Sequence, residues 1–439
     1  MPVPISTLPA EHIEPGQQGG HIVGQPIARR RVGGAQRIAN AFIRQGKRNS
    51  HNPSLVALAT RCRWAGRFAL HFHVSRTDVA GKSFWHSSQA QAIARDSRPG
   101  ARGETMVTDW PETLARIRGH SPFLTRALDR YPEVAAALAT GDMDAALAVA
   151  QALGQPEDGV ARSLRRRRTG IALVTAAADL SGAWGLDRVT RTLSDFADTA
   201  VEEALAAAMA ERYPDAEHKG FVVLALGKHG SRELNYSSDI DPILLYDPAT
   251  LPHAPREDPA DAAVRIGRRM SELLTARDGD GYVFRVDLRL RPSPEATPIA
   301  LPVEAAIGYY ESTALGWEQA AFIRSRAAAG DMALGDYFLR QIRPFVWRRH
   351  LDFSAIDAIV DISRRIRDHY AQGQAFGPGF DLKRGRGGIR EVEFFAQVHQ
   401  LIHGGRDTAL RSGNTRQALA ALAQAAHGGP FWDTVTRAS

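Results

Sequence analysis

The chain has 439 residues, and its 55 Lys and Arg exceed its 48 Asp and Glu to give a formal net charge of +7. The length suffices for two or three domains, and the single cysteine, Cys62, excludes an internal disulfide framework. No apolar run approaches the ~18 residues of a membrane span, and the first residues lack the charged start and apolar core of a signal peptide. We therefore expect a soluble, cytoplasmic protein.

The basic character belongs to the first quarter of the chain. Residues 1–105 hold 15 Lys and Arg against 5 Asp and Glu, whereas residues 106–439 hold 40 against 43. This segment is either a basic arm that binds RNA, DNA or another polyanion, or a leader of low order before a true start near Met106. We favour the leader, because helical patterning begins at Met106, and we expect no nucleic-acid partner.

Helical patterning continues over 109–213, where apolar residues recur at intervals of three and four. This predicts a helical N-terminal layer over residues 106–215 that packs against a sheet. The four arginines at 165–168 are interpreted as a solvated helix face rather than a contact with phosphate or acidic protein. Trp184 is expected in the core.

Two strands joined by a glycine-bearing loop are predicted next. The apolar run Phe221–Leu226 is typical of a buried strand, and a second strand is expected over 240–246. The loop occupies 227–231, followed by a short helical piece over 232–235. Gly230 in this loop has no side chain, so the backbone amides could approach phosphate oxygens closely.

Asp239 and Asp241 begin the second strand. Residues two apart on a strand point to the same side, so both carboxylates share one face. Close carboxylates resist joint ionisation unless a cation lies between them, and Mg²⁺ prefers carboxylate oxygens combined with substrate phosphates. Lys228, in the preceding loop, is either a point charge for phosphate or a solvated lysine.

A third carboxylate is offered by Asp287. Residues 282–290 alternate strictly, which predicts a half-buried strand with an Arg-Asp-Arg series centred on Asp287 on its open side. Beside the second strand, Asp287 would complete a cluster with Asp239 and Asp241. The flanking arginines, Arg289 among them, would face phosphate oxygens.

Helices account for most of the remaining prediction. One helix over 259–276 would join the second strand to the Asp287 strand, a mixed strand–helix–strand arrangement. The strands are then expected to end after Pro294. Further helices are predicted over 303–310, 317–328, 334–342, 356–369 and Ile389–His403.

Four motifs give the chain a family resemblance: GKHGSRELNYSSDID, VFRVDLRLRP, RPFVWRR and GRGGIREVEFFAQVHQLIHGGR. In order and spacing they resemble the glutamine synthetase adenylyltransferase/adenylyl-removing family, and the Gly-Ser, Asp-x-Asp and distant Asp resemble polymerase-beta-type nucleotidyltransferases. The resemblance implies an α+β fold. A small mixed-sheet core over 216–300 would be flanked by helical bundles over 106–215 and 301–439.

The resemblance also implies an activity. It covers 119–424 and only the first of the family's two units, so the chain looks like a fragment of a longer protein. That first unit removes AMP from an adenylylated tyrosine of glutamine synthetase by phosphorolysis, giving ADP and regulating nitrogen assimilation. The second unit, which attaches AMP from ATP, is absent. Whether the PII signalling protein contacts this half is left open.

Carried over by position, the resemblance implies roles for individual residues. Asp239 and Asp241 would hold Mg²⁺, with Asp287 as third ligand or as base toward the incoming phosphate. Gly230 and Ser231 would cradle phosphate oxygens, and Arg289 or Arg291 would balance charge on the transferring group. Ser231 replaces a second glycine common in the family, and His229 stands where the family usually has an apolar residue and is interpreted as incidental.

Several interpretations stay open. In WEQAAFIRSR, Glu318 and Arg324 or Arg326 either approach the adenylyl group or form a buried ion-pair network. The basic glycine-rich loop at 385–388 opens a helix and is a candidate anion site. The alternative functions are a nucleotidyltransferase of the same fold acting on a small molecule or RNA, an Asp-x-Asp glycosyltransferase, and a non-catalytic fragment.

Overall fold

The structure, a computed structural model, describes residues 110–154, 156–349 and 387–425, and positions 357, 361, 377, 379–383 and 385 between the last two ranges. The predicted leader over 1–105 lies outside these residues. So does nearly all of the helix predicted over 356–369. None of the described helices is long and apolar enough to cross a membrane.

The segment before the sheet is helical, as predicted. Proline and capping residues set several helix starts: the Ser121 hydroxyl accepts a hydrogen bond from the Leu124 N–H at 3.3 Å, ahead of Pro122. A 3₁₀ turn over Pro156–Asp158 precedes the fifth helix. The helices are α1 (Trp110–His120), α2 (Pro122–Arg130), α3 (Pro132–Ala139), α4 (Met143–Gln151), α5 (Gly159–Leu180) and α6 (Leu186–Ala210).

A mixed four-stranded sheet forms the centre of the described chain. Its strands are β1 (Phe221–Leu226), β2 (Asp241–Tyr246), β3 (Ala300–Pro302) and β4 (Arg326–Gly330). The spatial order is β3-β2-β1-β4, with β1 antiparallel to both neighbours and β3 parallel to β2. The predicted α+β fold with a small mixed sheet and many helices is confirmed.

Helices cover both faces of the sheet. On β1, Phe221 and Val223 pack with the core of α5, α6 and the helix α8 (Pro259–Thr275), whereas Val222 and Leu224 pack against helices that follow β3. All six residues of β1 are therefore buried. The other helices are α7 (Gly227–Gly230), α9 (Val303–Ser312), α10 (Gly316–Phe322), α11 (Met332–Gln341), α12 (Arg343–Val346), α13 (Ile389–His403) and α14 (Thr415–Ala425).

The expectation that strands end after Pro294 is wrong. Both β3 and β4 lie beyond it, and the helix predicted over 317–328 ends at Phe322 before the chain enters β4. The alanines of β4 favour helix by propensity, but pairing with β1 overrides that preference and buries Ala327 and Ala329 on alternate positions. The sheet thus extends past residue 300.

The strand predicted over 282–290 is also wrong as a continuous strand. It forms a single parallel bridge, in which the Ile240 N–H donates to the Arg285 carbonyl and the Asp287 N–H donates to the Ile240 carbonyl. The alternation would place Val283 on the same open side as Asp287, but Val283 is fully buried in the core, where its N–H donates to the carbonyl of Leu274 in the last turn of α8.

The helical piece predicted over 232–235 is wrong in position. The helical turn comes earlier, as α7, and the chain then turns at Arg232, whose φ is +58°.

The arginine run on α5 is not a solvated face. Arg165 is 6% exposed and its Nη1 lies 2.5 Å from Asp278 Oδ2, while the Arg168 guanidinium stacks 4.9 Å above the Tyr282 ring. These contacts fix the turn at 278–281 that leads into the Asp287 segment. Trp184 is buried, as predicted.

Candidate active site

The first residue of β2 lies beside the junction of β1 and α7. Asp241 is the cross-strand partner of Leu226, and Gly227 follows immediately. Gly227 has a φ of +57°, and a Cβ on it would lie 2.9 Å from Asp241 Oδ2. Glycine is therefore required there both by the left-handed backbone and by the carboxylate.

Three predicted carboxylates act on one another electrostatically at this point. Burial, together with the negative charges of Asp239 and Asp287, raises the pKa of Asp241 to about 6, against the opposing positive charges of Lys383 and Arg289. Within the described residues, the Asp241 carboxylate has no cation within 4.0 Å. Burying a carboxylate with two others and no countercharge is unfavourable, which is the arrangement expected of a cation-binding site.

The other two carboxylates have basic neighbours. Arg289 Nε donates to Asp287 Oδ1 at 2.8 Å and Oδ2 at 3.0 Å, and these hydrogen bonds lower the pKa of Asp287. Asp239 Oδ1 lies 3.9 Å from Arg285 Nη2. In the part of the chain that the structure describes, no three Asp, Glu, His or Cys side chains are arranged to hold one metal ion. The pair Asp239 and Asp241 fits Mg²⁺ by donor type, because both offer carboxylate oxygens.

The structure ties Arg291 into the backbone. Its guanidinium donates to the carbonyls of Leu288, Pro294, Thr297 and Pro298 at 2.7–3.1 Å. Four of its five N–H groups are thus engaged in organising the loop after Asp287. Arg289, in contrast, is 83% exposed along its side chain and contacts only Asp287 among the described residues.

The loop residues predicted to cradle phosphate are packed inside the fold. A Cβ on Gly230 would lie 1.7 Å from the Arg324 carbonyl oxygen and 2.6 Å from that of Ala225, so glycine is required by backbone packing. The buried Ser231 hydroxyl lies 3.1 Å from the Gly227 carbonyl oxygen, to which it donates. Its oxygen keeps lone pairs that can accept, but it has no free proton to donate to phosphate.

Lys228 is half-buried on α7, and burial lowers its pKa. Among the described residues it has no carboxylate within 4.0 Å, while Lys383 and Arg324 repel it and Glu393 and Glu233 attract it. A cation without a carboxylate within 4.0 Å, one residue after the Gly227 that lies against Asp241, is suited to an anionic group of a substrate.

His229 was missed as a structural residue. It is 1% exposed, and its Nε2 lies 2.7 Å from Oδ1 of Asp198 on α6. Arg326 Nη2 donates to the same oxygen at 2.7 Å and to the His229 carbonyl at 3.2 Å. Although burial raises it, hydrogen bonds from His229 and Arg326 hold the pKa of Asp198 below its usual value. In the sequence Asp198 is 31 residues from His229 and 128 residues from Arg326, so no local pattern signals these contacts.

The WEQAAFIRSR segment is a buried polar network, one of the two interpretations left open. Glu318 Oε2 accepts from the Leu315 N–H at 2.7 Å and from the Tyr309 hydroxyl at 3.1 Å, and burial raises the pKa of Glu318. Arg324 pairs with Glu393 at 3.1 Å. Helix α13 begins at Ile389, as predicted, and the N–H of Gly387 ahead of it donates to Glu391.

Comparisons with known proteins place the chain beside one group of enzymes. A family model described as glutamate-ammonia ligase adenylyltransferase matches residues 111–341, and one described as GlnD PII-uridylyltransferase matches residues 360–429.

Three curated relatives are each named bifunctional glutamine synthetase adenylyltransferase/adenylyl-removing enzyme. The relative from Caulobacter vibrioides is 45% identical over 332 residues, covering 72% of this chain and 34% of its own. Those from Rhizobium meliloti and Bradyrhizobium diazoefficiens are 41% and 40% identical, covering 80% and 86% of this chain and 39% of their own. The chain thus spans little more than a third of their length. The last two alignments cover more residues of this chain than the range 106–439 contains, so both include part of the first 105 residues. The start near Met106 stays a prediction.

Proposed function

The chain belongs to the glutamate-ammonia ligase adenylyltransferase family, and on that premise we propose that it is a nucleotidyltransferase acting on glutamine synthetase. The relatives' names support this general activity. We propose further that this chain carries out removal: inorganic phosphate attacks the adenylyl phosphorus, the bond to the tyrosine oxygen breaks, and ADP and unmodified tyrosine leave.

The observation that carries the proposal is the Asp241 carboxylate. It is half-buried at the start of β2, beside Asp239 and Asp287, and lacks a countercharge within 4.0 Å among the described residues. Asp239 and Asp241 are the residues that would hold Mg²⁺, which when bound would offset charge on the phosphoryl oxygens. Because Arg289 lowers the pKa of Asp287, Asp287 is a weak base, and we assign it to charge balance at the site rather than to proton abstraction.

Three cations of the chain are candidates for contact with phosphate. Lys383 and Arg289 act electrostatically on Asp241, Arg289 is exposed apart from its pairing with Asp287, and Lys228 follows the Gly227 that lies against Asp241. Phosphoryl transfer depends mostly on positioning and on balancing charge, which these groups supply without covalent chemistry. We assign Lys228, Lys383 and Arg289 to the incoming phosphate and the adenylyl phosphate.

The test is release of AMP groups from adenylylated glutamine synthetase by the 439-residue chain, with Mg²⁺ and inorganic phosphate. We expect ADP only when phosphate is present, and we expect Asp241→Asn to abolish its formation while the protein stays folded. Asp261→Asn is the matched control, since its 74%-exposed side chain lies on the surface of α8, and it should keep full activity.

Other outcomes separate the alternatives. Adenylylation of unmodified glutamine synthetase with ATP, and no release, would show that the direction is reversed. A folded protein with neither activity would identify a non-catalytic fragment. Adding the PII signalling protein to the same assay tests whether it acts on this half.

A further inference from the structure

Arg324 is a buried arginine that joins segments far apart in the chain. It lies in the turn between α10 and β4 and is 6% exposed. Its Nη1 donates to Glu393 Oε1 of α13 at 3.1 Å, and its Nη2 donates to the Thr415 hydroxyl at the start of α14. The same Nη2 lies 4.0 Å from Glu233 Oε2, in the turn just after α7. We refer to α7 and this turn, residues 227–233, as the loop.

The contacts close into a network around Glu233. The Thr415 N–H donates to Glu233 Oε1 at 3.0 Å, and the Thr415 hydroxyl donates its proton to Oε2 at 3.1 Å. The Glu233 N–H in turn donates to the Lys228 carbonyl at 2.8 Å, within the loop that carries the candidate phosphate contacts. Arg324 therefore lies against Glu233 of this loop on one side and against α13 and α14 on the other.

Backbone packing reinforces the network. A Cβ on Gly413 would lie 3.3 Å from the Ile323 carbonyl oxygen and 3.9 Å from the Ser231 Cα, so the segment before α14 rests on the loop and the turn together. Gly230 also lies against this turn, since a Cβ on it would be 1.7 Å from the Arg324 carbonyl oxygen. A shift of the turn would therefore be transmitted to the loop.

We propose that Arg324 is a positioning residue: it holds the loop at 227–233 against α13 and α14, and so makes these helices part of the catalytic architecture. The proposal rests on the proposed function. A planar guanidinium can bond Glu393 and the Thr415 hydroxyl at once, whereas a lysine ammonium is a point charge without that fork. Loss of one partner leaves the others buried without their countercharge.

The experiment compares Arg324→Lys and Thr415→Val with Arg167→Lys in the full chain. Arg167 is the matched control, because its 15%-exposed side chain pairs with Glu203 between α5 and α6 and contacts no residue of the loop. Two quantities are measured: kcat and KM for phosphate in ADP release, and hydrogen exchange of the amides at 227–235. In the Arg324 variant we expect kcat to fall on the order of 10- to 100-fold per folded molecule, with KM within about twofold.

Exchange at 227–235 should accelerate in the Arg324 and Thr415 variants and stay unchanged in the Arg167 variant. Equal losses of kcat in the Arg324 and Arg167 variants, or unchanged exchange at 227–235, would overturn the proposal. If Arg324→Lys does not fold, Thr415→Val carries the test, because it keeps the shape of the side chain and removes only the hydroxyl. If the unaltered chain releases no ADP, the proposed function fails, and the exchange measurement alone decides the role of Arg324.

Discussion

Alanine at position 230 would put a methyl carbon into space that the backbone already fills. The methyl would lie 1.7 Å from the Arg324 carbonyl oxygen and 2.6 Å from the Ala225 carbonyl oxygen. Close carbon–oxygen contacts in proteins are about 3.3–3.6 Å, so the loop and the turn at Arg324 would have to separate by about 1.6–1.9 Å. Ala225 cannot move easily to relieve this contact, because it is paired with both neighbouring strands of the sheet.

We expect Gly230→Ala to lower the unfolding free energy by about 3 kcal/mol, the upper end of the range for overpacked sites. For a chain of this size that corresponds to a fall in Tm of roughly 3 °C, given an unfolding entropy of about 2.1 cal/mol/K per residue. ADP release should fall as well, since the loop carries Lys228 and precedes Glu233. Urea titration, thermal melting and the phosphorolysis assay measure the three effects.

Gly308→Ala is the control. Gly308 lies within α9, where an added Cβ meets nothing within 4 Å, and alanine should stabilise that helix by up to about 1 kcal/mol. If Gly230→Ala were as stable and active as the unaltered chain, the close approach of the loop to Arg324 would be refuted. The network inferred for Arg324 would then lose its packing argument.

Two further predictions concern stability away from the carboxylates. Burial lowers the pKa of His229, so the unfolded chain binds this proton more readily and the unfolding free energy should fall between pH 7 and 5, by at most about 1.4 kcal/mol per pH unit. His229→Gln should lack that part of the slope, and urea titrations giving identical slopes for both proteins would contradict it. Asp331→Ala should cost about 1–2 kcal/mol, because Asp331 accepts from the N–H groups of Leu334 at the start of α11 and of Gly220. Asp331→Asn keeps an acceptor and should recover most of the loss, and equal losses for both substitutions would count against the capping role.

The sequence predicted those strands and helices whose own residues carry a hydrophobic run or period. The buried strand Phe221–Leu226, the helix α8 and the helix α13 each have a run or a period in their own residues, and each was found within two residues of its predicted bounds. The predicted placement of the Asp287 segment beside the second strand is found at one point, the bridge between Ile240 and Val286.

The predictions that were wrong concern residues whose contacts are distant in the sequence. The alanines of β4 form a strand because β1 offers an unpaired edge about a hundred residues earlier, which no window around Ala327 contains. Val283 is buried because it meets the end of α8, which breaks an alternation that is regular in sequence. His229 looked incidental because its partners, Asp198 and Arg326, come from α6 and β4.

The order of the sheet has a consequence for how the chain is made. As β1 emerges from the ribosome, its partner β2 follows within about twenty residues, but β4 comes only after roughly a hundred. At translation rates of about 5–20 residues per second, the second edge of a wholly apolar strand waits roughly 5–20 s for its partner. An open apolar edge can pair with other chains, so nascent molecules are most exposed to aggregation or chaperone capture in that interval, before Arg326 arrives.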